Sequence, residues 1–424
     1  MKILVLSRSA WDDSDSFGNT FSNLFTGMEG IDVYNICCQD GAFNNAVVKG
    51  AYQMTDKKVL RSTFGGKAGQ IISDLNIDAT QAPHVRFKYK RRTIYFIIRD
   101  FIWFIGRWFD KDLKSFLDNV SPDLIYIPVY SSWYMCNVQN AIVDYCNVPC
   151  VAHITDDNYN YLPHMWKEPI NLFYRYILRR KIRNLIRKVT YIDVFAKSMA
   201  LEYNKYFSKP CYIIGKGIDM KLWIARPKFE KPDNPYLFVY TGNIGSERYL
   251  QLAKLGKQLE RLLPGSRLMI YSQTYFDKNI QEAFNGIGSI QFCGSITSSE
   301  VKEVQSSADF LVHVEGFSEQ SIFETRMSFS TKLIDYMMAN RVILAIGPSD
   351  VCSINILQEN RMAITATDEC EIKTMVENIK DNSINYDELM KNVDVYVRND
   401  RDIKVIQNAM MQRFKNLVTT NNKA

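Results

Sequence analysis

The sequence predicts an α/β protein built from two doubly wound domains in tandem. Three observations carry that prediction. Short β-branched apolar runs alternate with amphipathic stretches of helical period, from Lys2 to Ile214 and again from Tyr236 onward. Between the two series lies a polar stretch, Lys221 to Pro235, punctuated by Pro227, Pro232 and Pro235. The 424 residues are enough for two ordinary domains, and a hydrophobic share of 46% gives each a core. The expected division is a first domain at 1–220, a linker at 221–235, a second domain at 236–400, and a C-terminal helix at 401–424 able to pack back on the first domain.

In the first series, Lys2 to Ser7 reads as a buried strand. The polar loop Ser9 to Ser16 leads into an amphipathic helix opened by Phe17-Gly18-Asn19-Thr20 and carrying Phe21, Leu24 and Phe25. Gly18 has two readings, a plain turn glycine or a place where a ligand approaches the backbone. No Gly-x-Gly-x-x-Gly follows the strand, which weighs against dinucleotide binding. Ile31 to Ile36 is the next strand. Residues 49–90 give little pattern beyond a loop at Gly65-Gly66 and a short helical turn at Ile71 to Leu75. Ser121 to Pro128 reads as a turn and a buried strand, Asn140 to Cys146 as helix, and Val148 to Ile154 as strand. That strand exits through His153-Ile154-Thr155-Asp156-Asp157. Ligands of open α/β sheets meet the carboxyl ends of strands, so His153, Asp156 and Asp157 stand where chemistry is expected. An acidic strand end also serves as a helix cap. Strand Tyr191 to Phe195, helix Lys197 to Tyr206 and strand Cys211 to Ile214 follow, then the turn Gly215-Lys216-Gly217-Ile218-Asp219.

Two stretches of this half are basic. Arg86 to Lys114 sets nine cations against Asp100, Asp110 and Asp112, with Ile94, Ile97, Ile98, Phe101, Ile102, Phe104, Ile105 and Trp108 at helical spacing. Its apolar positions nearly encircle the helix, which favours a core helix. An interfacial helix resting on anionic lipid is the other reading. Arg175 to Lys188 carries seven cations and no acid, which fits either a solvated face or a phosphorylated or membrane-borne partner. No base-stacking module accompanies it, so nucleic acid is not expected.

The second series opens with strand Tyr236 to Tyr240, the loop Thr241-Gly242-Asn243-Ile244-Gly245-Ser246-Glu247-Arg248, and a helix from Tyr249 to Leu263. Strands Leu268 to Tyr271, Ile290 to Cys293 and Ala308 to Val314 alternate with helices at Ile280 to Phe284 and Ser299 to Ser306. The exit from the last strand reads Glu315-Gly316-Phe317-Ser318-Glu319. Phe329 to Pro348 is the most informative stretch. Ser330 and Thr331 are N-cap types, Lys332 follows at once, and Leu333, Ile334, Tyr336, Met337 and Met338 make a short helix. Asn340-Arg341 breaks it before strand Val342 to Ile346. Two hydroxyls and an ammonium at a helix start suit a phosphate, and Asp335 one turn deeper can accept from sugar hydroxyls. That is the outline of a nucleotide-diphosphate site. Helix Glu371 to Ile379 and a largely helical Tyr386 to Leu417 close the chain.

Composition narrows the class. The net charge is +6. Nine cysteines form no Cys-x-x-Cys, and none of the four histidines stands at zinc-ligand spacing from Cys37-Cys38 or Cys146/Cys150, so no metal is expected and free thiols in a reducing cytosol are. The opening MKILVLSRSAWDDSD is too short an apolar run for a signal peptide, and no run has the length of a membrane span. A cytoplasmic protein is expected, with peripheral contact at the inner face of the plasma membrane left open.

Taken in order, several segments resemble a GT-B glycosyltransferase, most closely the family 4 type (glycosyltransferase group 1). They are Ser-Pro-Asp-Leu-Ile-Tyr at 121–126, Lys216-Gly217-Ile218-Asp219, Tyr240-Thr241-Gly242-Asn243-Ile244-Gly245, Phe292-Cys293-Gly294-Ser295-Ile296, Ser307 to Val312, and Ser330 to Met337. The resemblance implies two Rossmann-like domains facing a cleft, the first holding an acceptor and the second a UDP- or GDP-linked sugar, with no bound metal or other cofactor. It implies that Gly242, Asn243 and Gly245 let the loop approach the diphosphate and that Arg248 and Lys332 neutralise it. Ser330 and Thr331 lie at the same mouth. Asp335 stands where such enzymes place a ribose-gripping Glu, and Ser295 and Ile296 would flank the base. The usual Glu-x7-Glu is not intact. Glu315, the candidate at the reacting end, lies too far upstream of Asp335, and Gln320 to Met327 reads as an insertion. Transfer of a hexose to a bacterial cell-surface polysaccharide, lipid-linked or glycoconjugate acceptor, with retention, is the implied activity. Inversion would need a base, for which Asp156 or His153 is the candidate. A non-catalytic sugar-binding or scaffolding subunit and a nucleotide-sugar 2-epimerase are the alternatives.

Overall fold

The computed structural model describes residues 1–72, 93–160, 169–224 and 235–421. The chain divides into two compact units, one of Met1–Gly215 with Lys404–Ala424, the other of Lys216–Ile403. Residues 225–234 of the expected linker, the cations at 86–92, and residues 73–75 of the expected turn lie outside the described residues.

The first unit begins β1 (Lys2–Ser7), α1 (Ser16–Phe25), β2 (Asp32–Cys37), β3 (Val48–Met54), α2 (Asp56–Ser62) and β4 (Gly69–Ile72). It continues α3 (Thr93–Ile105), α4 (Lys111–Val120), β5 (Leu124–Pro128), α5 (Trp133–Cys146), β6 (Cys150–Ile154), α6 (Pro169–Lys188), β7 (Tyr191–Val194), α7 (Lys197–Phe207) and β8 (Cys211–Ile213). The strands form one sheet in the order β4-β3-β2-β1-β5-β6-β7-β8. Every pairing is parallel except β3 with β4. The central strands are continuous apolar runs because helices cover both faces, and β5 and β6 are buried along their whole length.

Two sequence expectations change here. Ile71 and Ile72 belong to strand β4, which pairs with β3 from Ala51 to Met54, and not to a helical turn. The ladder supplies hydrogen bonds that a lone turn would lack. Gly18 lies inside α1, packed against the preceding loop. A Cβ there would stand 1.9 Å from the Asp12 carbonyl oxygen, so the missing side chain makes room for the β1–α1 loop itself.

The second unit runs β9 (Leu237–Thr241), α8 (Arg248–Leu262), β10 (Arg267–Tyr271), α9 (Lys278–Phe284), β11 (Ile290–Gly294), α10 (Ser298–Ser307) and β12 (Phe310–Val314). Then come α11 (Glu319–Thr325), α12 (Lys332–Met338), β13 (Val342–Ile346), α13 (Cys352–Glu359), β14 (Ala363–Ala366), α14 (Glu371–Lys380) and α15 (Tyr386–Asp400). Its sheet is wholly parallel, in the order β11-β10-β9-β12-β13-β14. Phe238 and Phe310 stack on neighbouring strands, with ring centroids 5.0 Å apart, at the middle of the core. The strand order reverses between β9 and β12, which marks the carboxyl ends of those two strands as the place for a ligand.

The final helix, α16 (Ile403–Asn421), belongs almost entirely to the first unit. Gln407 Nε2 donates to the carbonyls of Leu24 and Thr26 at the end of α1, and Phe414 is fully buried. Among the described residues no helix is long and apolar enough to cross a membrane.

Candidate functional site

At the switch point of the second unit, β9 ends at Thr241 and the chain turns through Gly242, whose φ of +136° is open to glycine and strained for other residues. Asn243 closes the turn by accepting from the Gly245 amide at 2.7 Å, and the Tyr240 hydroxyl donates to the Asn243 carbonyl at 2.6 Å. Ser246 and Glu247 follow, both with positive φ, at 50° and 62°. Two consecutive non-glycine residues in that region mark a loop held against its preference by tertiary contacts. Those contacts come from α11. Ser321 Oγ donates to the Ser246 carbonyl, and Ser246 Oγ donates to Glu324. The span expected as an insertion is therefore a short helix that clamps this loop. Gly316 permits the clamp, since a Cβ there would stand 2.5 Å from the Ser246 oxygen.

Behind the loop, the start of α8 carries Arg248 and the end of β12 carries Glu315. Arg248 donates to Glu315 Oε2 through Nε at 2.9 Å and through a terminal nitrogen at 2.7 Å. Glu315 is only 3% exposed, so this is a desolvated pair. Its other oxygen lies 3.5 Å from Nε2 of His313, which is fully buried. Burial, with the charges of Lys332 and Arg248 nearby, holds the His313 pKa well below the imidazole range, so the ring is neutral.

Lys332 opens α12 and places its ammonium 4.2 Å from the centroid of the Tyr240 ring. A Cβ on Gly242 would stand 3.6 Å from that nitrogen. Among the described residues no carboxylate lies within ion-pairing distance of it. Burial, reinforced by repulsion from Arg248 and only partly offset by Glu315, lowers its pKa to about 7. Two cations thus share one carboxylate beside a glycine turn.

Helix α12 is held in place by Tyr336, whose hydroxyl accepts from the Thr241 amide at 3.1 Å and donates to the Val312 carbonyl at 3.1 Å. One side chain thereby ties α12 to β9 and β12. Thr331 occupies the N-cap position in helical conformation, and its side chain makes no capping bond. Ser330 is fixed through its amide, which donates to Ser353. The capping expected of these hydroxyls is absent because the backbone is already helical at Thr331, which turns its oxygen away from the following amides.

Asp335 lies one turn into α12, half exposed, with Oδ1 2.8 Å from Nζ of Lys216. Lys216 lies in the turn Gly215-Lys216-Gly217-Ile218-Asp219, yet its partner is 119 residues away, and only the tertiary structure shows the pairing. Ser295 and Ile296 occupy the loop after β11, at the sheet edge, exposed and half-buried respectively. The structure thus gathers Gly242, Asn243, Gly245, Arg248, Glu315 and Lys332, sets Asp335 on the same short helix as Lys332, and leaves Ser295 and Ile296 two strands from β9.

In the first unit, Asp156 and His153 separate in kind. Asp156 is exposed in the loop after β6. His153 is 1% exposed. The Tyr126 hydroxyl sits between His153 Nδ1 at 2.7 Å and Asp193 Oδ2 at 2.9 Å, and Arg413 from α16 approaches Asp193 at 3.7 Å. Burial lowers the His153 pKa to about 3. It raises that of Asp193 to about 7, against Arg413 and the Tyr126 hydrogen bond. A base must reach its substrate, and His153 lies in the core with Nδ1 engaged by Tyr126, whereas Asp156 faces solvent. Asp157 is structural too, accepting from the Tyr203 hydroxyl and the Asn160 amide.

No family model matches the sequence, and no curated protein matches it. Solved structures do match in fold. Sucrose-phosphate synthase from Thermosynechococcus elongatus aligns at a TM-score of 0.63 and 12% identity, over 99% of this chain and 100% of that one. Anabaena HepE, solved with UDP and with UDP-glucose, aligns at 0.61 and 11% identity over 98% and 100%. A glycosyltransferase from Rickettsia africae aligns at 0.58 and 10% identity over 98% of both chains. At such identities the likeness shows the fold: the chain has the GT-B glycosyltransferase fold, with two parallel-sheet α/β domains.

Proposed function

We propose that the chain is a glycosyltransferase. It binds the diphosphate of a UDP- or GDP-linked sugar at the β9–β12 switch point and moves a hexose-type sugar to a cell-surface polysaccharide, lipid-linked or glycoconjugate acceptor. The observation that carries this reading is the excess of positive charge: Arg248 pairs with Glu315, and Lys332 beside it has no carboxylate of its own, next to a loop whose Asn243 is exposed. A pyrophosphate supplies the missing anion, and both cations then stabilise it as a leaving group. Asp335 exchanges Lys216 for ribose hydroxyls, and Ser295 and Ile296 flank the base. HepE was solved with UDP and UDP-glucose, which favours UDP over GDP.

In the retaining form the acceptor oxygen bonds to the anomeric carbon on the face from which the phosphate oxygen departs. The acceptor proton passes to that phosphate oxygen, so no side-chain base is required. Asp156 is then an acceptor-binding carboxylate. If configuration inverts, it is the base.

The test is thermal shift with UDP, GDP and a panel of their sugars, followed by donor turnover. Stabilisation by one nucleotide, lost in Lys332→Ala and Arg248→Ala, supports the site. Sugar transfer surviving both substitutions removes it. Binding without turnover favours a non-catalytic subunit, and interconversion of donor epimers favours a 2-epimerase.

A further inference from the structure

The first unit presents an apolar surface for which sugar transfer gives no reason. Helix α3 buries one face, where Trp103 donates to Asp56 and Asp100 accepts from Tyr174 of α6 and from the Tyr134 amide. Its opposite face is the stripe Ile94, Ile98, Phe101 and Ile105, at spacings of four, three and four, and all four are exposed. Phe104 beside them is 77% exposed. None of these positions carries a charge.

The Asp100–Tyr174 bond, 2.8 Å long, sets α6 alongside. On α6 the exposed face begins with Ile170, Phe173 and Tyr176 and continues, along the same side of the helix, with Arg180, Arg183 and Arg187. The Arg180 guanidinium lies 5.9 Å from the Tyr176 ring centroid. Among the described residues no carboxylate lies within ion-pairing distance of these three arginines, and α6 contains no acidic residue. These eight large apolar side chains are thus exposed on two touching helices, and one edge of them grades into unneutralised cations. Monomeric soluble proteins rarely leave so large a contiguous apolar surface in water.

We propose that this face of α3 and α6 docks on an anionic lipid bilayer. The rings and isoleucines enter the headgroup boundary, and Arg180, Arg183 and Arg187 bind the lipid phosphates. The charge pattern selects this occupant. A second copy of the chain would bring like-charged arginines together, whereas an anionic surface pairs with all of them and takes the uncharged stripe into its apolar layer. The proposal is independent of the nucleotide site, which lies in the other unit.

The experiment is co-sedimentation of the full chain with vesicles of phosphatidylcholine alone and of phosphatidylcholine with equal phosphatidylglycerol. The wild type should pellet with the anionic vesicles and stay largely in solution with the neutral ones. Arg180→Glu with Arg183→Glu should lower partitioning at least ~25-fold. Phe101→Ser with Phe104→Ser should lower it by a similar or larger factor. Unchanged circular dichroism melting keeps misfolding out of the reading. A wild type that ignores anionic vesicles overturns the proposal. So does loss confined to the arginine variant, which leaves α3 no part, or a wild-type dimer that Phe104→Ser dissolves.

Discussion

Each unit places a cation beside a buried carboxylate near the ends of its central strands, and the two arrangements behave differently. In the first unit the Tyr126 hydroxyl bridges His153 and Asp193 inside the core, and Arg413 approaches Asp193 at 3.7 Å. In the second, Arg248 and Lys332 outnumber Glu315 beside a loop with two strained residues. Perturbed titration alone does not mark a site, because both clusters have it. Surplus charge beside an exposed loop does.

The proton balance sharpens the contrast. The lowered pKa of His153, about 3, by itself makes stability fall as pH drops below the ordinary 6.5. The raised pKa of Asp193, about 7, by itself makes stability fall as pH rises above the ordinary 3.8. Between those limits the folded cluster holds one proton on Asp193, and the unfolded chain holds one on His153. The two contributions oppose each other, so the closed cluster is nearly silent to pH. Lys332, at about 7, has no such counterpart.

The largest expected effect separates the clusters by function. Lys332→Ala should lower kcat/KM for donor turnover by ~100-fold or more, with no loss in melting temperature, because the removed ammonium is desolvated. Equal losses of activity and stability would erase the distinction. Tyr126→Phe should do the reverse. It strips both His153 and Asp193 of a partner and should cost about 2 kcal/mol in denaturant unfolding, while nucleotide affinity, read by calorimetry, stays unchanged. Next comes pH. A nucleotide sugar has no ionisation near neutrality, so its affinity should fall by about fivefold between about pH 7 and about pH 8 as Lys332 loses its proton. Proton uptake on binding, seen as buffer-dependent heat, checks the same point. In His153→Gln the silence of the first unit should break, with stability falling as pH rises from about 4 to about 7. The smallest effect on binding is Gly316→Ala, whose methyl presses on the Ser246 carbonyl and on Ser321; it is expected to weaken nucleotide binding about fivefold and to cost about 1–3 kcal/mol in denaturant unfolding.

The sequence made the site legible in part. Glycines after a strand, Arg248 at a helix start and Lys332 at another are local signals, and the structure gathers them. The partners are not local. Glu315 meets Arg248 across 67 residues and Asp335 meets Lys216 across 119, through the strand order of a sheet that no single stretch encodes. The clamp of α11 was hidden because its Ser321 and Glu324 gain meaning only beside Ser246. Strands β3 and β4 were illegible for another reason: Gly50, Lys49 and Gln53 break the apolar run that marks the central strands. Helix α3 misled through abundance, since an apolar residue at nearly every position looks like a core helix until one face proves bare.

The return of α16 to the first unit has a consequence for synthesis. Residues 404–421 are made after the second unit, yet Phe414 fills the first unit's core and Gln407 secures the end of α1. The usual vectorial order, in which an N-terminal domain folds while the rest is still on the ribosome, is therefore blocked at its final step. The second unit can finish first. The first stays open until translation reaches its closing helix, and a messenger truncated after the second unit's codons would yield a sound C-terminal lobe joined to an incomplete partner.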